Sequence, residues 1–191
     1  MFGETRKAIS AEDYLQAERR SEQRHEFENG EMLAMSGASR AHGRINWNLA
    51  GTLYPQLEER GCEGFSSDMR VHTPVTDRYS YPDLVVVCGE AQFEDQELDT
   101  LLNPTLIVEI LSPSTEDRDR GTKLFNYRSI PSLKIILLVA QDRIHLEQYL
   151  RQDDGSWRLT DFDDPTQILD LSPIGARLKL ADAYRRAPGI D

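Results

Sequence analysis

Two strand-length apolar runs that carry carboxylates constrain this chain most. Asp83 directly precedes the apolar run in "YPDLVVVCGE", and Glu109 lies inside the one in "TLIVEILSPST". Short apolar runs bounded by polar residues are typical of buried strands. Burying an unpaired carboxylate is costly, so either the two acids are paired within the chain or a cation binds them.

Length and composition indicate one globular domain over residues 1–191, with a core from about 10 to 186. The net charge of −11 argues against broad, nonspecific attraction to nucleic acid. No apolar stretch is long enough to span a bilayer, and the N-terminus lacks the apolar core of a signal peptide. Cys62 and Cys88 are too few for a disulfide framework and are predicted to be small core residues. We therefore expect a cytoplasmic protein without a membrane partner.

The first third of the chain predicts a helix, a hairpin and a longer helix. Ser10 is the predicted N-cap of a helix in "ISAEDYLQAERRSEQ". Asn29-Gly30 predicts a two-residue turn between strands. Apolar residues at steps of four predict an amphipathic helix over residues 40–60, ended by Gly61 and kinked or shortened by Pro55.

The rest of the chain combines strands with two more helices. Strands are predicted in "MRVHTPV", "DLVVVCG", "TLIVEILS", "LKIILLVA", "RIHLEQYL" and "SWRLTDF". One helix is predicted from Thr115, as its cap, up to Pro131, and another in "LKLADAYRRA". This order predicts an α/β fold with a central mixed β-sheet flanked by helices.

Asp83 and Glu109 suggest a metal site. They lie on two apolar strands, and if these strands are neighbours both carboxylates converge on one point, where they share a proton or bind a cation. Oxygen ligands favour Mg²⁺, Mn²⁺ or Ca²⁺, and Mg²⁺ is the usual choice where a phosphate completes the shell. On the following helix Asp119, Lys123 and Tyr127 share one face, from which Lys123 can reach a metal-bound water or a phosphate. A metal and a cation near the nucleophile are what phosphodiester hydrolysis needs.

Each of these residues also has a purely structural explanation. Asp83 after a proline can be a turn residue, and Glu109 can form a buried pair with an arginine. Lys123 and Asp119 can form an ordinary ion pair on a helix surface, and Tyr127 can be a core aromatic residue.

Pro82-Asp83, Glu109 in an apolar strand and a later lysine resemble the PD-(D/E)xK signature of the restriction-endonuclease-like superfamily. The stretches "YPDLVVV", "VEILSPSTEDRDRGTKLFNYRSIPSL" and "IGARLKLADAY" resemble a large bacterial family of restriction-endonuclease-like proteins, long described as a domain of unknown function. This resemblance runs from about Ser10 to Tyr184. It implies a restriction-endonuclease-like fold.

The resemblance also implies site residues. The standard signature places its lysine two residues after the acid, where this chain has Leu111, and the family supplies the lysine from the next helix, here Lys123. The backbone carbonyl of Ile110 is a further implied metal ligand.

Two upstream residues match the family's pattern. Glu26 is an implied outer metal ligand, and His42 an implied phosphate contact or proton carrier. Their structural alternatives are a cross-strand partner for Glu26 and a helix-start residue for His42.

We therefore expect a metal-dependent endonuclease that uses Mg²⁺ or Mn²⁺, acts on nucleic acid, and has DNA as its substrate. Asp83 and Glu109 would hold the metal, and Lys123 would position the water and stabilise the transition state. A homodimer is implied by resemblance to small nucleases of this fold. Arginines are expected to frame a positive cleft: Arg40, Arg44, Arg118, Arg120 and Arg128.

Two other functions stay open. One is a catalytically silent binding module that engages protein partners, and the other is an enzyme acting on RNA or a nucleotide. The sequence contains no RNA-recognition motif and no glycine-rich phosphate loop.

Overall fold

The computed structural model describes residues 8–113 and 116–190. Its strands, in chain order, are β1 (His25–Glu28), β2 (Glu31–Ala34), β3 (Cys62–Ser66), β4 (Arg70–Thr73), β5 (Arg78–Ser80), β6 (Leu84–Cys88), β7 (Thr100–Leu101), β8 (Leu106–Leu111), β9 (Ile135–Ala140), β10 (Leu146–Arg151), β11 (Trp157–Phe162), β12 (Ile168–Leu171) and β13 (Ala176–Lys179). Its helices are α1 (Ala11–Glu18), α2 (Arg40–Glu58), α3 (Glu116–Arg118), a π-helical segment (Asp119–Lys123), α4 (Leu124–Tyr127), a 3₁₀ turn (Ser172–Ile174) and α5 (Leu180–Tyr184).

A six-stranded mixed sheet in the order β11-β10-β9-β8-β6-β3 positions the candidate site. β8 and β9 are parallel and are connected through α3, the π-helical segment and α4, whereas the other neighbours are antiparallel. Every residue of β8 and β9 is buried, as the continuous apolar runs predict for strands covered on both faces.

Each face of this sheet packs against a different apolar layer. One face contacts the buried side of α2, the β12–β13 hairpin and α5. The other face contacts α4 and two buried residues of a second sheet, Val71 and Leu101. Because side chains alternate along a strand, Ile107 and Leu111 of β8 point to the second face, and so does Glu109. The mixed sheet flanked by helices confirms the predicted fold class.

The second sheet has the order β2-β1-β5-β4-β7 and covers the edge of the site. The β1–β2 hairpin turns at Asn29 and Gly30, both with positive φ (52° and 81°), as predicted. Ser10 caps α1 by accepting a hydrogen bond from the backbone N–H of Asp13, also as predicted.

Two helix predictions were only partly right. α2 continues through Pro55 to Glu58 instead of ending at the proline. The carbonyl opposite this proline belongs to Gly51, an exposed residue, so water can replace the missing hydrogen bond. The predicted C-terminal helix is shorter, because residues 176–179 pair with β12 before α5 begins. The predicted cap at Thr115 lies outside the described residues.

Cys62 and Cys88 form a disulfide bond, which corrects their interpretation as separate core residues. They are direct partners in the β3–β6 register, with their Cα atoms 4.2 Å apart. The sequence did not indicate β3, so this pairing could not be foreseen. No helix in residues 8–113 and 116–190 is long and apolar enough to cross a membrane.

Candidate active site

A cleft of about 780 Å³ opens where β6 begins and β8 ends. It collects most of the predicted site residues from different elements. They are Glu26 of β1, His42 of α2, Asp83 before β6, Glu109 and Ile110 of β8, and Lys123 of the π-helical segment. Tyr127 is fully buried and does not line the cleft, but its hydroxyl donates a hydrogen bond to Glu109.

Sheet register brings Asp83 beside β8. Leu84 is paired with Val108, so the antiparallel register places the preceding Asp83 next to Glu109. Asp83 Oδ2 accepts a hydrogen bond from the backbone N–H of Ile110 at 2.7 Å. Its Oδ1 lies 2.8 Å from Nε2 of His42. Both oxygens of Asp83 are therefore held in place, and each keeps a lone pair for a further contact.

Glu109 is buried, with 4% of its surface exposed. Its Oε1 accepts hydrogen bonds from Lys123 Nζ at 3.0 Å and from the Tyr127 hydroxyl at 2.6 Å. These donors replace the arginine partner that the structural alternative supposed, and they fix the direction in which the carboxylate faces the cleft.

Lys123 is buried among three carboxylates. Its Nζ lies 2.8 Å from Glu26 Oε1, 3.0 Å from Glu109 Oε1 and 3.3 Å from Asp119 Oδ1. Asp119 is itself buried, so its pairing with Lys123 is not the surface ion pair that the spacing allowed. Both residues belong to the π-helical segment, and π-helical turns occur frequently at functional sites.

The charges on this cluster divide unevenly. Burial raises the pKa of Glu109 to about 8 despite Lys123, and Asp119, Asp83 and Glu26 raise it further. Burial also opposes the charge on Glu26, but Lys123 and Arg118 outweigh it, so the pKa of Glu26 is lowered. In the metal-free protein near neutral pH, Glu26 is therefore ionised and Glu109 keeps its proton.

This shift makes metal-free stability depend on pH. The pKa of Glu109 in the folded protein is about 8, above its ordinary value of 4.5. The stability that this shift contributes is therefore fully present below pH 4.5 and is lost as the pH rises to 8. We expect the free energy of unfolding in chelator to fall over this window by an amount on the order of 4 kcal/mol. Thermal unfolding between pH 5 and 8.5 measures this. Glu109→Gln should flatten the curve, and an equally steep fall in that variant would contradict the assignment.

Three arginines near the cleft were missed or misjudged. Arg78 is fully buried and contacts Glu28 at 2.6 Å and Glu26 at 3.7 Å. Arg118 contacts Glu26 at 2.9 Å. Arg120 pairs with Glu116 and Glu147. Arg118 and Arg120 are thus neutralised by acids, which limits the predicted positive cleft. No local pattern in the sequence marks Arg78 as buried.

A second group of possible metal ligands lies on the same sheet face. Ligand atoms of His145, Glu147 and Asp161 lie within 4.8 Å of one another. Glu147 is paired with Arg120, however, and His145 Nδ1 lies 2.6 Å from Asp163. Because Arg120 already neutralises Glu147, this group is a weaker metal site than the cleft.

The mixed sheet with an acid-lined cleft at its strand ends defines a restriction-endonuclease-like α/β protein. Its fold matches the crystal structure of a "putative nuclease belonging to DUF820" from Anabaena variabilis ATCC 29413. The TM-score is 0.74 at 17% identity, covering 92% of this chain and 97% of that one. At this identity the likeness establishes the fold.

Residues 11–182 match the Uma2 family, described as "Putative restriction endonuclease", and the chain belongs to that family. Its relatives include two proteins of Synechocystis sp. (strain ATCC 27184 / PCC 6803 / Kazusa). "Uncharacterized protein sll1609" is 37% identical over 157 residues, covering 82% of this chain and 89% of that protein. "Uncharacterized protein slr1290" is 34% identical over 177 residues, covering 93% of this chain and 92% of that protein. Membership confirms the resemblance found in the sequence and makes nuclease chemistry the activity class of the family.

Proposed function

We propose that this protein is a metal-dependent nuclease that hydrolyses phosphodiester bonds in nucleic acid, with DNA as its substrate. The observation that carries the proposal is the convergence of Asp83, Glu109 and Lys123 on one cleft. Family membership supports it. The cleft volume of about 780 Å³ leaves room for a nucleotide and its phosphate.

The donor set of the cleft fits Mg²⁺ or Mn²⁺. The carboxylates of Asp83 and Glu109 and the backbone carbonyl of Ile110 are all oxygen donors, the ligands that these ions prefer. Lys123 lies among three carboxylates, and burial together with the neighbouring acids raises the pKa of Glu109. A divalent cation would supply the missing charge. When bound, it would activate water and offset the charge of the scissile phosphate.

Lys123 has two tasks in this proposal. Its ammonium donates a hydrogen bond to Glu109 and so orients the carboxylate that faces the attacking water. Lys123 also lines the cleft, so its charge would stabilise the negative charge that develops on a phosphate bound there. Glu26 keeps Lys123 in position from the other side, at 2.8 Å.

His42 and Tyr127 act through the two carboxylates. The imidazole of His42 contacts Asp83 and also lines the cleft, so it can orient the aspartate or contact a phosphate. The buried hydroxyl of Tyr127 donates to Glu109 and positions it. We include in the proposal a homodimer, in which two sites cut two strands.

Cutting should depend strictly on added metal. We expect supercoiled plasmid, linear duplex or single-stranded DNA to be cut at low salt with Mg²⁺ or Mn²⁺ and to remain intact with chelator. Gel analysis measures this, with an RNA of the same sequence as the substrate control. Linear products from supercoiled plasmid would support paired sites, whereas nicked circles alone would argue against them. Cutting that persists in chelator would contradict the proposal.

A silent binding module that engages protein partners would behave differently. It would bind Mg²⁺ or Mn²⁺ no more tightly than an ordinary acidic surface does, and Glu109→Gln would leave that binding unchanged. Titration calorimetry with Mn²⁺ separates the two functions, because a nuclease site loses affinity in the variant.

A further inference from the structure

A basic and aromatic surface adjoins the cleft on the outer side of α2. We call it the arginine–tryptophan surface; its members are Arg40, Arg44, Trp47, Arg185 and Arg186. Their side chains are exposed, and they surround two shallow depressions of about 340 and 400 Å³. α2 contributes the first three residues, and the chain directly after α5 contributes the last two.

Among the residues that the structure describes, these arginines have no side-chain partner. Within residues 8–113 and 116–190, none of the four side chains forms an ion pair or a hydrogen bond with another residue. By contrast, Arg78 and Arg118 are each paired with carboxylates. In a chain with 33 acidic residues and a net charge of −11, four arginines that no described side chain pairs concentrate positive charge on one surface. This charge complements a polyanion.

Trp47 lies at the centre of the surface and is 75% exposed. It projects away from the buried side of α2, which carries Ile45 and Leu49. It lines both depressions, with arginines on each side. A ring that is open to solvent and flanked by guanidinium groups can stack on a nucleic-acid base while the guanidinium groups bind phosphates.

The surface continues directly into the cleft. Gly43 lines both the cleft and the depression of about 400 Å³ beside Trp47. A Cβ added at Gly43 would meet nothing within 4 Å, so the space between the two is open at this residue. Its neighbour His42 contacts Asp83. From Arg40 to Trp47 the helix rises about 10 Å, the length of about three stacked nucleotides. A strand bound along this stripe of α2 would therefore lead towards the two carboxylates.

We propose that the arginine–tryptophan surface binds a single-stranded segment of DNA and leads it into the cleft. This proposal rests on the proposed function and specifies its substrate as DNA with an unpaired segment. The face of Trp47 can stack only on a base that is not stacked within a duplex. Phosphate contacts carry no base information and stacking accepts any base, so binding through these contacts should be tolerant of sequence.

The first test measures binding in chelator, so that it does not depend on cutting. Fluorescence anisotropy of a labelled 12-nucleotide thymidine oligomer is compared with that of a duplex of the same length. We expect the single strand to bind at least about tenfold more tightly. Trp47→Ala should weaken its binding by about tenfold. Phe125→Ala, which removes an exposed aromatic residue of α4 that lines neither depression, should leave binding unchanged.

A charge-reversal pair tests the arginines. Arg44→Glu with Arg185→Glu should weaken single-strand binding strongly. The dependence of affinity on salt should become shallower by about 0.7 for each phosphate that the protein no longer neutralises. The matched control is Arg158→Glu with Lys134→Glu, two exposed residues without side-chain partners among the described residues. Equal binding of duplex and single strand, or equal effects of the test and control pairs, would overturn the proposal.

Intrinsic fluorescence gives an independent reading. The chain has two tryptophans, so Trp157→Phe leaves Trp47 as the single tryptophan, whose emission can be excited apart from that of the tyrosines. Stacking should quench it on addition of the oligomer, and unchanged emission would count against the surface. Binding without any cutting in Mg²⁺ would refute the proposed function and leave this inference standing. If blunt duplex is cut and Trp47→Ala does not affect the cutting, this inference is refuted and the proposed function stands.

Discussion

Glu109→Gln should abolish metal-dependent cutting, lowering the rate by about 10³-fold or more, while the metal-free protein remains folded. The amide keeps the size of the side chain and can still accept the hydrogen bonds from Lys123 and Tyr127. It cannot supply the negative charge that a divalent cation needs. Initial cutting rates across a range of Mg²⁺ concentrations measure the loss.

The same change should stabilise the metal-free protein at pH 8. Lys123 is already shared with Glu26 and Asp119, so ionising Glu109 adds a buried negative charge, which is why its pKa is raised to about 8. The neutral amide removes that cost. A loss of activity together with a gain in stability would show that Glu109 serves the metal rather than the fold.

Glu147→Gln is the matched control for Glu109→Gln. Both glutamates are buried and lie on the same sheet face, since each pairs in register with Leu138 of β9. Glu147 belongs to the second group of possible metal ligands. We expect this variant to cut within a few-fold of the wild type. If it loses cutting and Glu109→Gln does not, the metal site lies at β10 and the assignment of the cleft is wrong.

Lys123→Met should lower the cutting rate by about 10²–10³-fold and also destabilise the metal-free protein, by an amount on the order of 3–5 kcal/mol at pH 8. Methionine retains the apolar stem but leaves Glu26, Glu109 and Asp119 without their shared ammonium. Because these acids can take up protons, the destabilisation should be smaller at pH 5. Denaturant unfolding at both pH values measures the difference.

Added metal separates the two roles of Lys123. Mg²⁺ should restore much of the stability of Lys123→Met, because a cation again balances the carboxylates, but it should not restore cutting. Lys134→Met, which alters an exposed lysine, should change stability by less than about 0.5 kcal/mol. Full activity of Lys123→Met at saturating Mg²⁺ would restrict the lysine to a structural role.

The position of the lysine has a physical explanation. Leu111 occupies the place where the usual signature has its lysine, and it points to the same sheet face as Glu109. That face is covered there by Leu124 and Tyr127, and Leu111 is 3% exposed. An ammonium at residue 111 would be buried in an apolar layer. The π-helical segment brings Lys123 to Glu109 from above the sheet instead.

The sequence by itself determined the features that depend on neighbours along the chain. Continuous apolar runs predicted β6, β8 and β9, because strands covered on both faces need no polar residues. The Asn29-Gly30 turn and the Ser10 cap follow from local backbone geometry. The carboxylates of Asp83 and Glu109 were recognisable as candidate metal ligands, because a charge in an apolar run needs a partner.

Only the tertiary structure decided which partners those charges meet. Three features depended on the tertiary structure: the burial of Arg78 and Asp119, the disulfide between Cys62 and Cys88, and the position of Arg185 beside Arg44. They involve residues that are distant in sequence or that belong to an unusual helix. Such contacts depend on strand register and on how helices pack against the sheet. A local pattern carries no information about them, because the energy of a buried charge depends on every group that the fold brings to it.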